Sequence, residues 1–143
     1  MGKNDLAASS DEHRLKDLVA AQERLSIVSG DIGSLREARQ AVRASTEECP
    51  THARDVAELL ADELVTNALV HGGGSFVLSI ELRDACLHIS VSDGSSELPE
   101  VLAPSDEREH GRGMAIVAAM ASRWGAKAVG KGKVVWFELD LVS

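Results

Sequence analysis

The stretch DVAELLADELVTNALVHGGG, residues 55–74, decides the fold. Pro50 breaks the chain ahead of it, Thr51 stands where a helix cap is wanted, and three glycines close it, so one helix is predicted from Thr51 to about His71. At about 100° per residue, Asp55, Glu58, Asp62 and Thr66 fall on one side, the expected solvent face. Val56, Leu59, Leu60 and Leu64 fall opposite and are expected to face the core. Glu63 and Asn67 do not join the polar side. They sit within the apolar arc, about 40° and one turn apart, with His71 a further turn along.

An inward carboxylate loses its hydration and needs a partner. A pocket between this helix and a sheet would supply one. Asn67 offers a neutral hard oxygen of the kind Mg²⁺ accepts when phosphates and waters complete its octahedron. Glu63, roughly 6 Å back along the helix, could take a proton from an attacking hydroxyl. The other reading of the same two residues is structural: they pair with backbone or with a buried arginine. For His71 the negative pole of a helix end is explanation enough.

Upstream, Leu25–Val28 reads as a short strand, and Ser34-x-x-Glu37 has the form of a capping box opening a helix to about Ser45. Downstream, Phe76, Leu78, Ile80 and Leu82 alternate on one face of a strand, as do Leu87, Ile89 and Val91 on the next, with Arg83-Asp84-Ala85 as the turn. A helix is predicted over about Gly113 to Ser122. A last hairpin pairs Ala126–Val129 across Gly130-Lys131-Gly132 with Val134–Leu141, whose Val135, Phe137, Leu139 and Leu141 face inward. The expected fold is an α/β two-layer sandwich, a mostly antiparallel mixed sheet covered on one face by helices.

Two loops bear on the same pocket. Asp93 ends a strand and Gly94 lets the backbone turn away. A carboxylate there can accept the exocyclic amine of adenine, whereas guanine presents a carbonyl. An Asp-Gly pair is equally an ordinary turn. Gly111-Arg112-Gly113 stands at the entry of the predicted third helix, where bare backbone and free amides can meet an anion and Arg112 can add a phosphate contact. A lone Gly-x-Gly is weak; in this order, after Glu63/Asn67 and Asp93, it gains force.

Composition narrows the classes. At 143 residues the chain fits one domain, and 44% hydrophobic content supports a core, although aromatics make up only 3%. The formal net charge of −8 argues against nucleic acid or an anionic membrane as partner. The two cysteines, Cys49 and Cys86, are expected to be reduced thiols in a cytoplasmic protein, since no export signal or spanning run of ~18 apolar residues is present. Residues 1–22 are polar and expected to form a mobile extension, with residues 23–143 as the domain.

In combination, these pieces resemble the boxes of the GHKL ATPase superfamily (the Bergerat fold), and more closely the small bacterial anti-sigma factors with serine/threonine kinase activity. Glu63-Leu64-Val65-Thr66-Asn67-Ala68 with His71 looks like the N box. Asp93-Gly94-Ser95 looks like the first glycine box, and Gly111-Arg112-Gly113-Met114 like the second. Gly132 to Leu139 resembles the last strand. The likeness implies a regulator that binds Mg²⁺ and ATP, sequesters a sigma factor and phosphorylates a serine or threonine of a STAS-domain antagonist. It also implies a homodimer. By that likeness Glu63 is the general base, Asn67 the Mg²⁺ ligand, Asp93 the adenine anchor, and Gly111 to Gly113 the hinge of a phosphate lid. Two positions depart from the pattern: Ser95, where many members have glycine, and Val134, where a hydroxyl residue often supports adenine. These departures keep a second expectation open, a catalytically silent binding module with structural nucleotide or none. No histidine-bearing dimerisation helices stand upstream, so a histidine kinase is not expected.

Overall fold

The computed structural model describes residues 24–99 and 109–142; the extension expected over residues 1–22 lies outside them. Five strands form one sheet in the order β1-β2-β3-β5-β4. They are β1 (Arg24–Asp31), β2 (Ser75–Arg83), β3 (Cys86–Asp93), β4 (Arg123–Val129) and β5 (Gly132–Asp140). Three α-helices cover one face: α1 (Leu35–Ser45), α2 (Thr51–His71) and α3 (Glu109–Met120). All four strand pairings are antiparallel, so the expected two layers are present and the sheet is not mixed.

Period-two alternation builds the core. Phe76, Leu78, Ile80 and Leu82 of β2, Leu87, Ile89 and Val91 of β3, and Val135, Phe137 and Leu139 of β5 are buried under the helices. The buried face of α2 is Val56, Ala57, Leu60, Ala61, Leu64, Val65 and Ala68. Its alanines let the helix lie close to the sheet. Leu59, expected in the core, is 41% exposed, because the stripe that contacts the sheet is centred on Leu60 and Leu64. Truncating either leucine to alanine would cost about 2–5 kcal/mol.

Helix ends depart from the sequence expectation in detail. A 3₁₀ turn, Ile32–Ser34, precedes α1. Asp31, not Ser34, is the residue that caps: its carboxylate accepts from the Gly33 amide at 3.0 Å, and its own amide donates to Ser34 Oγ at 3.3 Å. Ser34 is thereby engaged backwards and makes no side-chain cap to α1. Likewise Thr51 is the first residue of α2, with Pro50 at the cap position and no side-chain hydrogen bond. The third helix begins at Glu109, one turn before its expected start at Gly113. At the other end of α2, the Gly72 amide closes on the Ala68 carbonyl at 2.7 Å.

The opposite face of the sheet carries no helix among the described residues. Leu25 and Ile27 of β1 are 59% and 61% exposed on that side. There Arg123 binds Glu138 and Asp140, and His88 Nδ1 lies 3.0 Å from Glu138 Oε2. The Arg123 guanidinium holds both carboxyls below the ordinary carboxylate range. Neither Cys49 nor Cys86 forms a disulfide, and burial pushes the Cys86 thiol up. No helix among the described residues is long and apolar enough to cross a membrane.

Candidate functional site

Helix α2 presents Glu63 and Asn67, both half-buried, toward α3. With Thr66, Val70 and His71 of α2 and Gly113 and Met114 of α3 they line a cleft of about 300 Å³. Of these, Met114 is buried. The position of the Glu63 carboxylate depends on Gly113, because a methyl group there would collide with Glu63 Oε2. Burial pushes the Glu63 carboxyl above its ordinary value, with the neighbouring Asp62 charge a second cause. A carboxylate whose proton affinity is raised and whose surroundings are partly dry is suited to accept a proton.

Gly111, Arg112 and Gly113 lie in the N-terminal part of the described helix α3. The Arg112 side chain, expected to contact phosphate, lies outside the described part of the structure. The structure thus brings four of the sequence-derived residues, Glu63, Asn67, Gly113 and Met114, to one cleft.

Asp93 is not among the residues lining that cleft. It lies at the end of β3, behind Gly72, with its side chain 1% exposed. A Cβ at Gly72 would run into the Asp93 side chain and the Ala68 carbonyl oxygen, so only glycine lets the end of α2 come this close. Gly94 donates its amide to the Gly72 carbonyl at 3.2 Å, tying the end of the helix to the end of the strand. The Asp93 carboxylate already has partners. Oδ1 accepts from the Ser95 amide at 2.8 Å and from Lys133 Nζ at 3.1 Å, and Oδ2 lies 2.8 Å from the same ammonium. Ser95 therefore closes a tight turn onto Asp93, a use for that position that does not need glycine.

Lys133 is the partner of Asp93 that the sequence reading did not single out. Its side chain is 0% exposed, and it faces Asp93 in register across β3 and β5. Its parity was a usable signal, since residue 133 shares a face with Val135, Phe137 and Leu139. Val134, singled out from sequence, alternates to the other face. A second cavity, about 320 Å³, lies between α1 and α2 and is lined by none of the candidate residues. Its rim ion pairs, Arg39–Asp62 and Arg43–Glu58, are solvent-exposed and contribute little.

An open antiparallel sheet with helices on one side, and a polar cleft between two of those helices, defines the class of protein: a GHKL-type ATPase domain. Residues 28–139 match the family model described as the histidine kinase-like ATPase domain, and the chain belongs to that family. Its fold is similar to a nucleotide-free catalytic domain of the histidine kinase ThkA, at 16% identity and a TM-score of 0.51, over 81% of this chain and 97% of that one. It is also similar to the histidine kinase domain of a blue-light-activated kinase from Erythrobacter litoralis, at 16% identity and a TM-score of 0.52, over 92% and 72% of the two chains. No curated protein matches the chain in sequence. The family model is histidine kinase-like and by itself assigns no serine/threonine specificity.

The cleft fits part of a nucleotide. At about 300 Å³ it lies at the small end of ligand sites, enough for a phosphate tail and its metal, with Asn67 as the neutral oxygen donor. The base would have to reach past Gly72 to Asp93.

Proposed function

We propose that this chain is an anti-sigma factor that binds Mg²⁺ and ATP, holds a sigma factor, and transfers the terminal phosphate to a serine or threonine of a STAS-domain antagonist. Support comes above all from one observation: Glu63 and Asn67 turn one face of α2 into a cleft closed by Gly113, with burial raising the Glu63 carboxyl. In this reading Glu63 accepts the proton of the attacking hydroxyl, and Asn67 gives its amide oxygen to the metal. Asp93 meets the base, and Gly111, Arg112 and Gly113 meet the phosphates. When bound, the metal supplies charge neutralisation of the phosphates. The net charge of −8 favours protein partners over nucleic acid, a second copy of the chain completes the expected assembly, and the expected location is the cytoplasm.

The purified protein, labelled ATP, Mg²⁺ and a cognate STAS protein are expected to yield an acid-stable phosphoester on the antagonist. Glu63→Ala should abolish transfer and leave nucleotide bound. An acid-labile label would mean phosphohistidine and end the serine/threonine reading.

The buried ion pair of Asp93 with Lys133 favours a second reading, a binding module that turns nothing over. Nucleotide binding with no labelled antagonist is its signature.

A further inference from the structure

The face of the sheet turned away from the helices takes no part in the cleft. Its middle row runs Ile27, Ser79, Ser90, Trp136 and Gly125 across the five strands. The Trp136 indole leans over β4, where a Cβ at Gly125 would collide with it, and stacks on His88 at a ring separation of 5.5 Å. On the opposite side Leu25 and Ile27 of β1 stand exposed, with Val77 of β2 beside them. Ser79 and Ser90, between these two sides, are short. The face is therefore a trough with a floor of serines and apolar walls on β1 and β5. Three strand spacings separate the walls, about 14 Å. A helix with its side chains is about 10–12 Å across.

The β1 wall calls for a cover, because bare apolar side chains on an edge strand invite association. Neither proline nor lysine blunts that strand. Where the chain comes from says what can cover it. Residues 1–23 precede Arg24, the first residue of β1, and so enter the fold at the wall itself. Ser9-x-x-Glu12 has the form of a capping box. Beyond it, Leu15, Leu18 and Val19 fall within an arc of about 100° on a helix, with His13, Asp17 and Ala20 opposite. A helix over residues 10–19 would be about 15 Å long, and the eight residues of β3 run about 27 Å beneath it. Residues 20–23 reach up to about 14 Å when extended, enough to turn from β1 onto the face beside it. So short a tether holds the segment near the trough at an effective concentration of about millimolar, which any free partner would have to exceed.

We propose that residues 10–19 form a helix docked in this trough, with Leu15, Leu18 and Val19 against Leu25, Ile27 and Val77. The domain then has three layers and begins near residue 10. Over these residues a docked helix replaces the mobile extension that composition alone suggests.

Hydrogen exchange of the full chain, read by mass spectrometry, tests this. Amides 12–19 are expected to exchange at least about tenfold more slowly than in an unstructured peptide. Ile27→Asp alters a side chain that is 61% exposed, and it should return those amides to the unstructured rate while the strands stay protected. Leu18→Asp, within the segment, should do the same. Should Ile27→Asp not fold, Val77→Asp on the neighbouring strand takes its place. Exchange at the unstructured rate in the wild type overturns the proposal. Protection that survives either substitution puts the segment elsewhere and overturns it as well. Protection that fades on dilution, as the sedimenting mass halves, assigns the trough to a second copy and is equally fatal.

Discussion

Lys133→Met would leave the Asp93 carboxylate in a closed site with one remaining donor among the described residues, the Ser95 amide at 2.8 Å. Solvent cannot compensate, because the side chain is 1% exposed. Removing one partner of a buried ion pair costs about 3–5 kcal/mol, a large share of the ~5–15 kcal/mol that holds a domain folded. For a chain of this size that lowers Tm by roughly 10–20 °C. Asp93→Asn alone strands the ammonium and should also destabilise. The double variant Asp93→Asn/Lys133→Met keeps an oxygen for the Ser95 amide and buries no charge. It should return to within about 1–2 kcal/mol of the wild type, giving a coupling energy of about 2–3 kcal/mol or more. Urea unfolding followed by the fluorescence of Trp124 and Trp136 supplies the four stabilities, provided the m-value is unchanged. If the single losses simply add in the double variant, the two groups do not share a buried pair and the account of this site is wrong.

Gly113→Ala separates stability from chemistry. Alanine gains about 0.8–1 kcal/mol of helix propensity over glycine, and the obstruction is the movable end of Glu63, so net stability should stay within about 1 kcal/mol of wild type. Phosphate transfer should nevertheless fall by about 10²–10⁴ if Glu63 is the base; a folded variant with full transfer rules that role out. Glu63→Gln tests the raised carboxyl by pH. The folded chain binds the Glu63 proton more readily than the unfolded chain, so the stabilising protonated form is complete below about pH 4.5 and is lost as pH rises through the raised folded value. Glutamine should therefore stabilise at pH 7, by no more than about 0.5 kcal/mol for a half-solvated group. That advantage should shrink on acidification; an advantage that grows as pH falls would contradict the burial argument. Ala85→Gly should stabilise by about 1 kcal/mol in a thermal melt, because Asp84 and Ala85 both hold positive φ, 52° and 58°, in the two-residue turn between β2 and β3. A loss of stability would mean that Ala85's contacts with the core outweigh its backbone strain.

How much of this was legible in the sequence depended on whether a signal was periodic or positional. The inward faces of β2, β3 and β5 followed directly from alternation, because a two-residue period leaves no room for a partial error. The rotation of α2 was less secure. Its alanines carry no strong apolar signal, so Leu59 looked as inward as Leu60, and only packing against the sheet separates them. Cap positions were legible as residue types and not as hydrogen bonds: Ser34 can serve Asp31 or α1, and the 3₁₀ turn decides for Asp31. The cleft residues Glu63 and Asn67 stood out because polar groups broke an apolar arc. Lys133 broke an apolar face in the same way, but a lysine beside glycines in a hairpin reads as a solvated turn residue until its partner Asp93 is seen across the ladder. The start of α3 was obscured by Gly111 and Gly113, which mark a helix entry in sequence yet lie inside the helix in space.

The contact between Gly72 and the Asp93–Gly94 corner has a thermodynamic consequence. Any ligand group that draws Asp93 toward itself also pulls on the last turn of the helix bearing Asn67, so affinities measured at the two ends will not be independent. A triphosphate lacking its nucleoside should lose more than the contacts of the missing part, and the metal dependence of binding should vary with the identity of the base.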